Sequence, residues 1–261
     1  MPELPDVECF RRSLRNLRGR RVRAVRVEAP GMLEGLGPDQ LARALAGKRF
    51  REIGRRGKHL LAGLEGGGAL TLQFGMSGRP ELLEPGQPEP PYTRLAIALD
   101  RGALAVADPR KLGHVGFAVD LDEWLRQREL GPDALALPAD AFAALLRGSR
   151  AGLKSLLMDQ RALAGIGNVY SDEILFQARM HPARRARDLT GAEARRLYHC
   201  IHAVLETAID SAAEPERMPP GYLIHYRRKD AHCPRCDTAL ERLSFSGRHA
   251  WICPRCQPEP G

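Results

Sequence analysis

Residues 156–176, LLMDQRALAGIGNVYSDEILF, decide how the rest of the chain is read. On either side of the Gly165-Ile166-Gly167 turn the pattern is helical, LKSLLMDQ before it and NVYSDEILFQAR after it. Glycines in such a turn allow close backbone approach, and Asn168 stands where it could cap the second helix. Further helical segments surround this pair between residues 122 and 213: DEWLRQREL, ADAFAALLRG and TGAEARRLYHCIHAVLETAID. Their lengths suit a helical bundle.

Upstream the periodicity changes. Residues 6–17 place Val7, Phe10, Leu14 and Leu17 on one helical face, with Gly19 as a stop signal. From residue 21 to about 119 short β-type runs follow, among them VRAVRV, KHLLAGL, ALTLQF, RLAIAL, ALAVAD and HVGFAV. Their Gly and Pro punctuation predicts an antiparallel sandwich, with an exposed loop at Pro85, Pro88, Pro90 and Pro91. Downstream, residues 211–221 (SAAEPERMPPG) read as a loop or linker. Beyond it stand two CPRC knuckles, Cys233/Cys236 and Cys253/Cys256, 16 residues apart. That spacing predicts a four-thiolate tetrahedral site for one structural zinc ion, with a β-hairpin between the knuckles and its tip near residues 246–249. A redox dithiol or two disulfides would use the same cysteines.

The expected fold is therefore α+β and multidomain. An N-terminal helix with an antiparallel β-sandwich occupies residues 1–121, a helical domain 122–221 and a zinc ribbon 222–261. With 43% hydrophobic residues, 261 residues can fill two or three small cores. A net charge of +8, with Arg11, Arg12, Arg15, Arg18, Arg20, Arg21, Arg23 and Arg26 crowded together, favours an anionic polymer as partner. No run of about 18 apolar residues and no signal-peptide pattern is present, so a cytoplasmic protein is expected.

The start MPELPDVE closely resembles that of the formamidopyrimidine-DNA glycosylase and endonuclease VIII family, and RRGKHLL, FGMSGR, DPRKLG, residues 156–176 and the cysteine module follow in the family's order. The resemblance implies a bacterial, nucleoid-associated base-excision repair enzyme, acting as a monomer on damaged double-stranded DNA in a cleft between its lobes. It excises oxidised bases and then cleaves the strand by β- and δ-elimination. Met1 would be removed so that the Pro2 amine can attack C1′, with Glu3 as general acid on the sugar ring oxygen. An α-amine has a reference pKa of about 7.7–8.0, so a useful fraction is neutral near pH 7, and a secondary amine gives an iminium with a fixed charge.

By the same resemblance, residues 156–176 form a helix-two-turns-helix element whose Asn168 meets phosphate, and Lys58 and the ribbon-tip Arg248 bind phosphates beside the reacting nucleotide. Met76, Arg110 and Leu112 would fill the gap left by a flipped nucleotide, while Lys154 and Glu173 lie near the lesion. This chain departs from the family pattern at Asp6 (usually Glu), Gln73 (often His), Leu112 (commonly Phe) and across residues 211–226, where the usual lesion-closing motif is missing. A preference for formamidopyrimidine and 8-oxoguanine, an endonuclease VIII-like preference for oxidised pyrimidines, and a non-catalytic damaged-DNA binder remain as alternatives.

Overall fold

The computed structural model describes residues 2–245 and 247–259. Helix α1 spans Leu4–Ser13 and is followed by a 3-10 turn at Arg15–Leu17. It thus starts before the expected residue 6, because Pro5 is tolerated in a first helical turn, and its last predicted turn tightens. The strands that follow are β1 (Val22–Val27), β2 (Phe50–Arg56), β3 (His59–Leu64), β4 (Ala69–Gln73), β5 (Arg79–Leu83), β6 (Thr93–Leu99), β7 (Ala103–Ala107) and β8 (His114–Ala118). They form two antiparallel four-stranded sheets, ordered β1-β6-β7-β5 and β2-β3-β4-β8. Val22, Leu95, Ile97 and Leu104 of one sheet share a core with Leu60, Leu70, Leu72 and Val115 of the other, as the sandwich reading requires.

Helix α2 (Pro38–Leu45) was not expected from the sequence; Gln40 returns its side chain to the Gly37 amide, and Leu41 and Leu45 bury one face in the same core. Helix α3 (Leu121–Gln127) was expected to open the helical domain. The chain instead divides into two compact units, residues 1–2 with 6–129, and residues 3–5 with 130–261. Trp124 packs edge-on to His59, and Arg128 pairs with Glu34, so α3 belongs to the first unit.

The early arginine run is partly neutralised within that unit. Glu8 accepts from Arg11, Arg12 and Arg55. Burial alone would raise its carboxyl, yet these guanidiniums hold it at about 2. Arg20 pairs with Glu84, and Arg26 with Glu28 and Glu89.

The second unit contains α4 (Ala139–Gly148), α5 (Leu153–Met158), α6 (Asn168–Ala178), α7 (Gly191–Asp210) and the hairpin β9 (Glu241–Phe245) with β10 (Arg248–Ile252). α6 is its central element: Tyr170, Ile174 and Leu175 enter the helical core, while Phe176 packs with Leu223, Cys233, Leu240 and Cys253 of the ribbon. Hence the ribbon is not a separate compact unit. Phe245 pairs with Arg248; Ser246, part of the expected tip, lies outside the described residues. Among the described residues no helix is long and apolar enough to cross a membrane.

Candidate active site and nucleic-acid interface

Glu3 is 1% exposed and lies against the N-terminus of α6. Its Oε2 accepts the amides of Gly167 (2.6 Å) and Tyr170 (3.4 Å), and its Oε1 accepts that of Val169 (2.9 Å). A helix start leaves such amides without intrahelical partners, so this carboxylate caps α6 from more than 160 residues away in sequence. Asn168 therefore does not cap; Gly167 occupies the N-cap position and makes no side-chain cap. The approach requires glycine, because a Cβ on Gly167 would stand 2.4 Å from Glu3 Cδ. The preceding turn is held by Gln160, whose Oε1 accepts Gly165 N (3.0 Å) and whose Nε2 donates to Ile166 O (2.9 Å). Leu4 N in turn donates to Gly165 O (3.0 Å). Pro2, half-buried, immediately precedes Glu3; Met1, expected from the family resemblance to be removed, lies outside the described residues.

Asn168 is half-buried and its Oδ1 has no hydrogen-bond partner among the described residues. Lys154, expected at the DNA, is placed inside: it is 1% exposed, and its Nζ bonds Asp172 Oδ1 (2.5 Å) and Ser171 Oγ (3.1 Å). Burial pulls its ammonium below the usual lysine range, opposed by the Asp172 charge. It borders a cavity of about 240 Å³ with Ser155, Met158, Asp159, Phe245 and the exposed Arg248. Glu173 is fully buried and accepts the amides of Leu223 (3.1 Å) and Ile224 (2.8 Å). It thereby anchors residues 223–224, after the 211–221 loop and within the divergent 211–226 stretch, and burial pushes its carboxyl above the usual range.

In the first unit, Met76 (47% exposed) and Leu112 (43%) are not core residues. They stand on the β4–β5 and β7–β8 connections, which nearly touch: a Cβ on Gly75 would lie 2.4 Å from the Leu112 carbonyl carbon. Arg110 Nη1 donates to Met76 Sδ (3.4 Å), so the expected trio is together at the surface. Sequence reasoning missed Asp108, which ties the two loops. It is fully buried and accepts Ser77 Oγ (2.9 Å), Arg110 N (3.1 Å) and Gly113 N (2.8 Å). Gln73 also serves its own loop, accepting Gly75 N at 3.3 Å. Lys58 occupies the β2–β3 turn beside His59, which burial holds at about 4 and hence neutral at pH 7.

The sulfurs of Cys233, Cys236, Cys253 and Cys256 all lie within 4.8 Å of one another, with pairs at 3.4, 3.5 and 3.9 Å. Thiolates at about 2.3 Å from a tetrahedral zinc would be roughly 3.8 Å apart, so the set fits one structural zinc ion. All four are free cysteines, and the amides of Arg235 and Cys256 point at sulfurs as zinc knuckles require. Arg235 joins the knuckle to α6, donating to Phe176 O (2.6 Å) with its guanidinium 4.0 Å from that ring's centroid.

Comparison with known proteins gives a consistent result over the whole chain. The profile of the formamidopyrimidine-DNA glycosylase N-terminal domain matches residues 1–115, that of the formamidopyrimidine-DNA glycosylase H2TH domain residues 130–217, and that of a zinc finger found in FPG and IleRS residues 233–258. Formamidopyrimidine-DNA glycosylase of Thermus thermophilus is 41% identical, with 99% of each chain covered, and that of Solibacter usitatus 34%, covering 98% of this chain and 99% of the relative. Among solved structures, MutM in complex with DNA containing carbocyclic 8-oxo-G has a TM-score of 0.88 at 28% identity, covering 99% of this chain and all of that one. The Lactococcus lactis protein with Fapy-dG-containing DNA has a TM-score of 0.88 at 27% identity, over 98% of this chain and all of that one.

Proposed function

The chain belongs to the formamidopyrimidine-DNA glycosylase family, and from that premise we propose that it is a DNA glycosylase and lyase that excises oxidised bases, formamidopyrimidines and 8-oxoguanine among them, from double-stranded DNA. The observation that carries this reading is the capping of α6 by Glu3, which fixes the residue next to the Pro2 nucleophile on the turn that also presents Asn168.

With Met1 removed, the Pro2 nitrogen attacks C1′ as the C1′–N glycosidic bond breaks, and the base leaves carrying the proton that the Pro2 amine loses. Glu3 supplies a proton to the sugar ring oxygen as the C1′–O4′ bond opens and leaves the Pro2 iminium, and the three amides stabilise the carboxylate that remains. The iminium then accepts the electrons of the C2′–H bond as that proton passes to solvent and the C3′–O bond breaks; loss of the C4′ proton expels the C5′ oxygen, and water releases the sugar remnant from Pro2, leaving a one-nucleotide gap. Flipping the nucleotide costs a few kcal/mol. Met76 and Leu112 fill the vacated stack, Arg110 faces the orphaned base, and Lys58, Asn168 and Arg248 grip phosphates. Zinc, held by the four cysteines, would stabilise the ribbon that carries Arg248 and supply no catalytic chemistry. The enzyme acts as a monomer, cytoplasmic and associated with the nucleoid.

Borohydride trapping on duplexes carrying 8-oxoguanine, an oxidised pyrimidine or an abasic site tests the reading. A covalent adduct is expected with the abasic and 8-oxoguanine duplexes. Adduct only with the pyrimidine lesion would move the enzyme to the endonuclease VIII-like specificity, and none with any duplex would contradict catalysis.

A further inference from the structure

Asp172 stands one helical turn after Asn168 on α6 and is 2% exposed. Four donors from three separate segments converge on its carboxylate. Oδ1 takes Lys154 Nζ of α5 at 2.5 Å, while Oδ2 takes Arg227 Nη2 at 2.8 Å, Arg227 Nε at 3.3 Å and the Trp251 amide of β10 at 3.2 Å. The two cations do not stop at Asp172. Lys154 Nζ and Arg227 Nη2 each also reach the backbone carbonyl of Asn168, both at 3.4 Å.

Without a carboxylate between them, a buried ammonium and a guanidinium would repel each other and lose the partner that makes their burial tolerable. With it, the backbone of Asn168 is clamped from two sides. The Trp251 bond extends the clamp to the ribbon: Trp251 lies three residues along β10 from Arg248, so fixing its amide fixes the position of the strand that begins with Arg248. Arg227 adds the end of the 211–226 segment to the same point.

We propose that Asp172 is a positioning residue which, through Lys154, Arg227 and the Trp251 amide, holds Asn168 and Arg248 in a fixed relation to one another for gripping DNA phosphates. This rests on the functional reading above, in which those two residues grip the backbone. An asparagine at 172 keeps the size but turns an NH₂ group towards an existing donor, so the clamp opens while the fold's apolar cores are untouched.

The test uses the full zinc-loaded chain and a fluorescent duplex with a reduced, uncleavable abasic site, with Kd measured from 50 to 300 mM salt and active fraction set by stoichiometric titration. For Asp172→Asn the magnitude of the log Kd against log salt slope should fall by about 0.9, the worth of the one phosphate that Arg248 neutralises, while the loss of the neutral Asn168 contact raises Kd without changing the slope. A residue that matters only for folding would lower the active fraction and leave this slope unchanged. Arg227→Gln, which keeps the Lys154–Asp172 pair, should move the slope the same way by less, and Arg227→Lys should restore it in part. If Asp172→Asn does not retain one zinc per chain, Arg227→Gln decides. Slopes equal to that of the unmodified protein in every folded variant overturn the proposal. Failure of the unmodified protein to prefer the abasic duplex over an undamaged one would instead sink the functional reading, whatever the variants do.

Discussion

A methyl group at residue 167 would sit 2.5 Å from Glu3 Oε1, closer than any relaxed approach. Gly167→Ala should therefore push the Glu3 carboxyl off the α6 amides and, through the peptide bond, shift Pro2. A displacement of about 1 Å at a reacting group costs roughly 100-fold in rate, so single-turnover trapping on an abasic duplex should slow by about that factor with the fold retained. A rate within about threefold of the unmodified protein would show that the Glu3 cap is not needed for the chemistry. The motif order pointed to Pro2, Glu3 and Asn168, but not to what holds them. Glu3's partners lie more than 160 residues away, and Gln160, Asp108 and Asp172 look like ordinary polar residues until the fold brings donors to them. Lys154 shows the converse. Its position was legible and its burial was not, because a lysine's exposure depends on whether a carboxylate such as Asp172 lies within reach.

At the level of elements, the long regular segments were readable. Helix α7 is the clearest case: its run TGAEARRLYHCIHAVLETAID reads as helical, and in the structure Thr190 Oγ1 accepts Glu193 N while Glu193 accepts Thr190 N, a reciprocal cap. Arg184 reinforces that cap with a two-pronged pair to Glu193 at 2.6 and 2.7 Å, which, with the Thr190 bonds, lowers the carboxyl to about 2. A depressed carboxyl contributes stability above its unfolded value, about 4.3, and loses it as pH falls through the folded value. A glutamine there keeps the capping box but loses the charge-assisted pair with Arg184, so Glu193→Gln should cost about 1.5 kcal/mol in denaturant unfolding at pH 7, and the gap between the two proteins should close as pH falls from about 4 towards 2. A gap independent of pH would mean that the pair contributes nothing through charge. The elements not anticipated are short or atypical. β2 carries four charged residues in seven, β5 contains Pro80 and is an edge strand, and α2 has only Leu41 and Leu45 to mark its buried face.

For the molecule as a whole, net charge was a blunter guide than motif order. Of the eight clustered arginines, Arg11, Arg12, Arg20 and Arg26 are engaged by carboxylates of their own unit, so +8 overstates the basic surface of that stretch. The boundary read at residue 121 fell early for a related reason: composition turns helical there, while Trp124 and Arg128 remain tied to His59 and Glu34. What the sequence conveyed well was a chain of modules in a fixed order, and the central claim concerns the first reactive atom of that chain. Borohydride-trapped protein on an abasic duplex should, after digestion, carry the reduced sugar on the N-terminal peptide beginning at Pro2, and Pro2→Gly should abolish trapping. A sugar found on a lysine peptide such as that of Lys58, or equal trapping by protein that still carries Met1, would contradict the account.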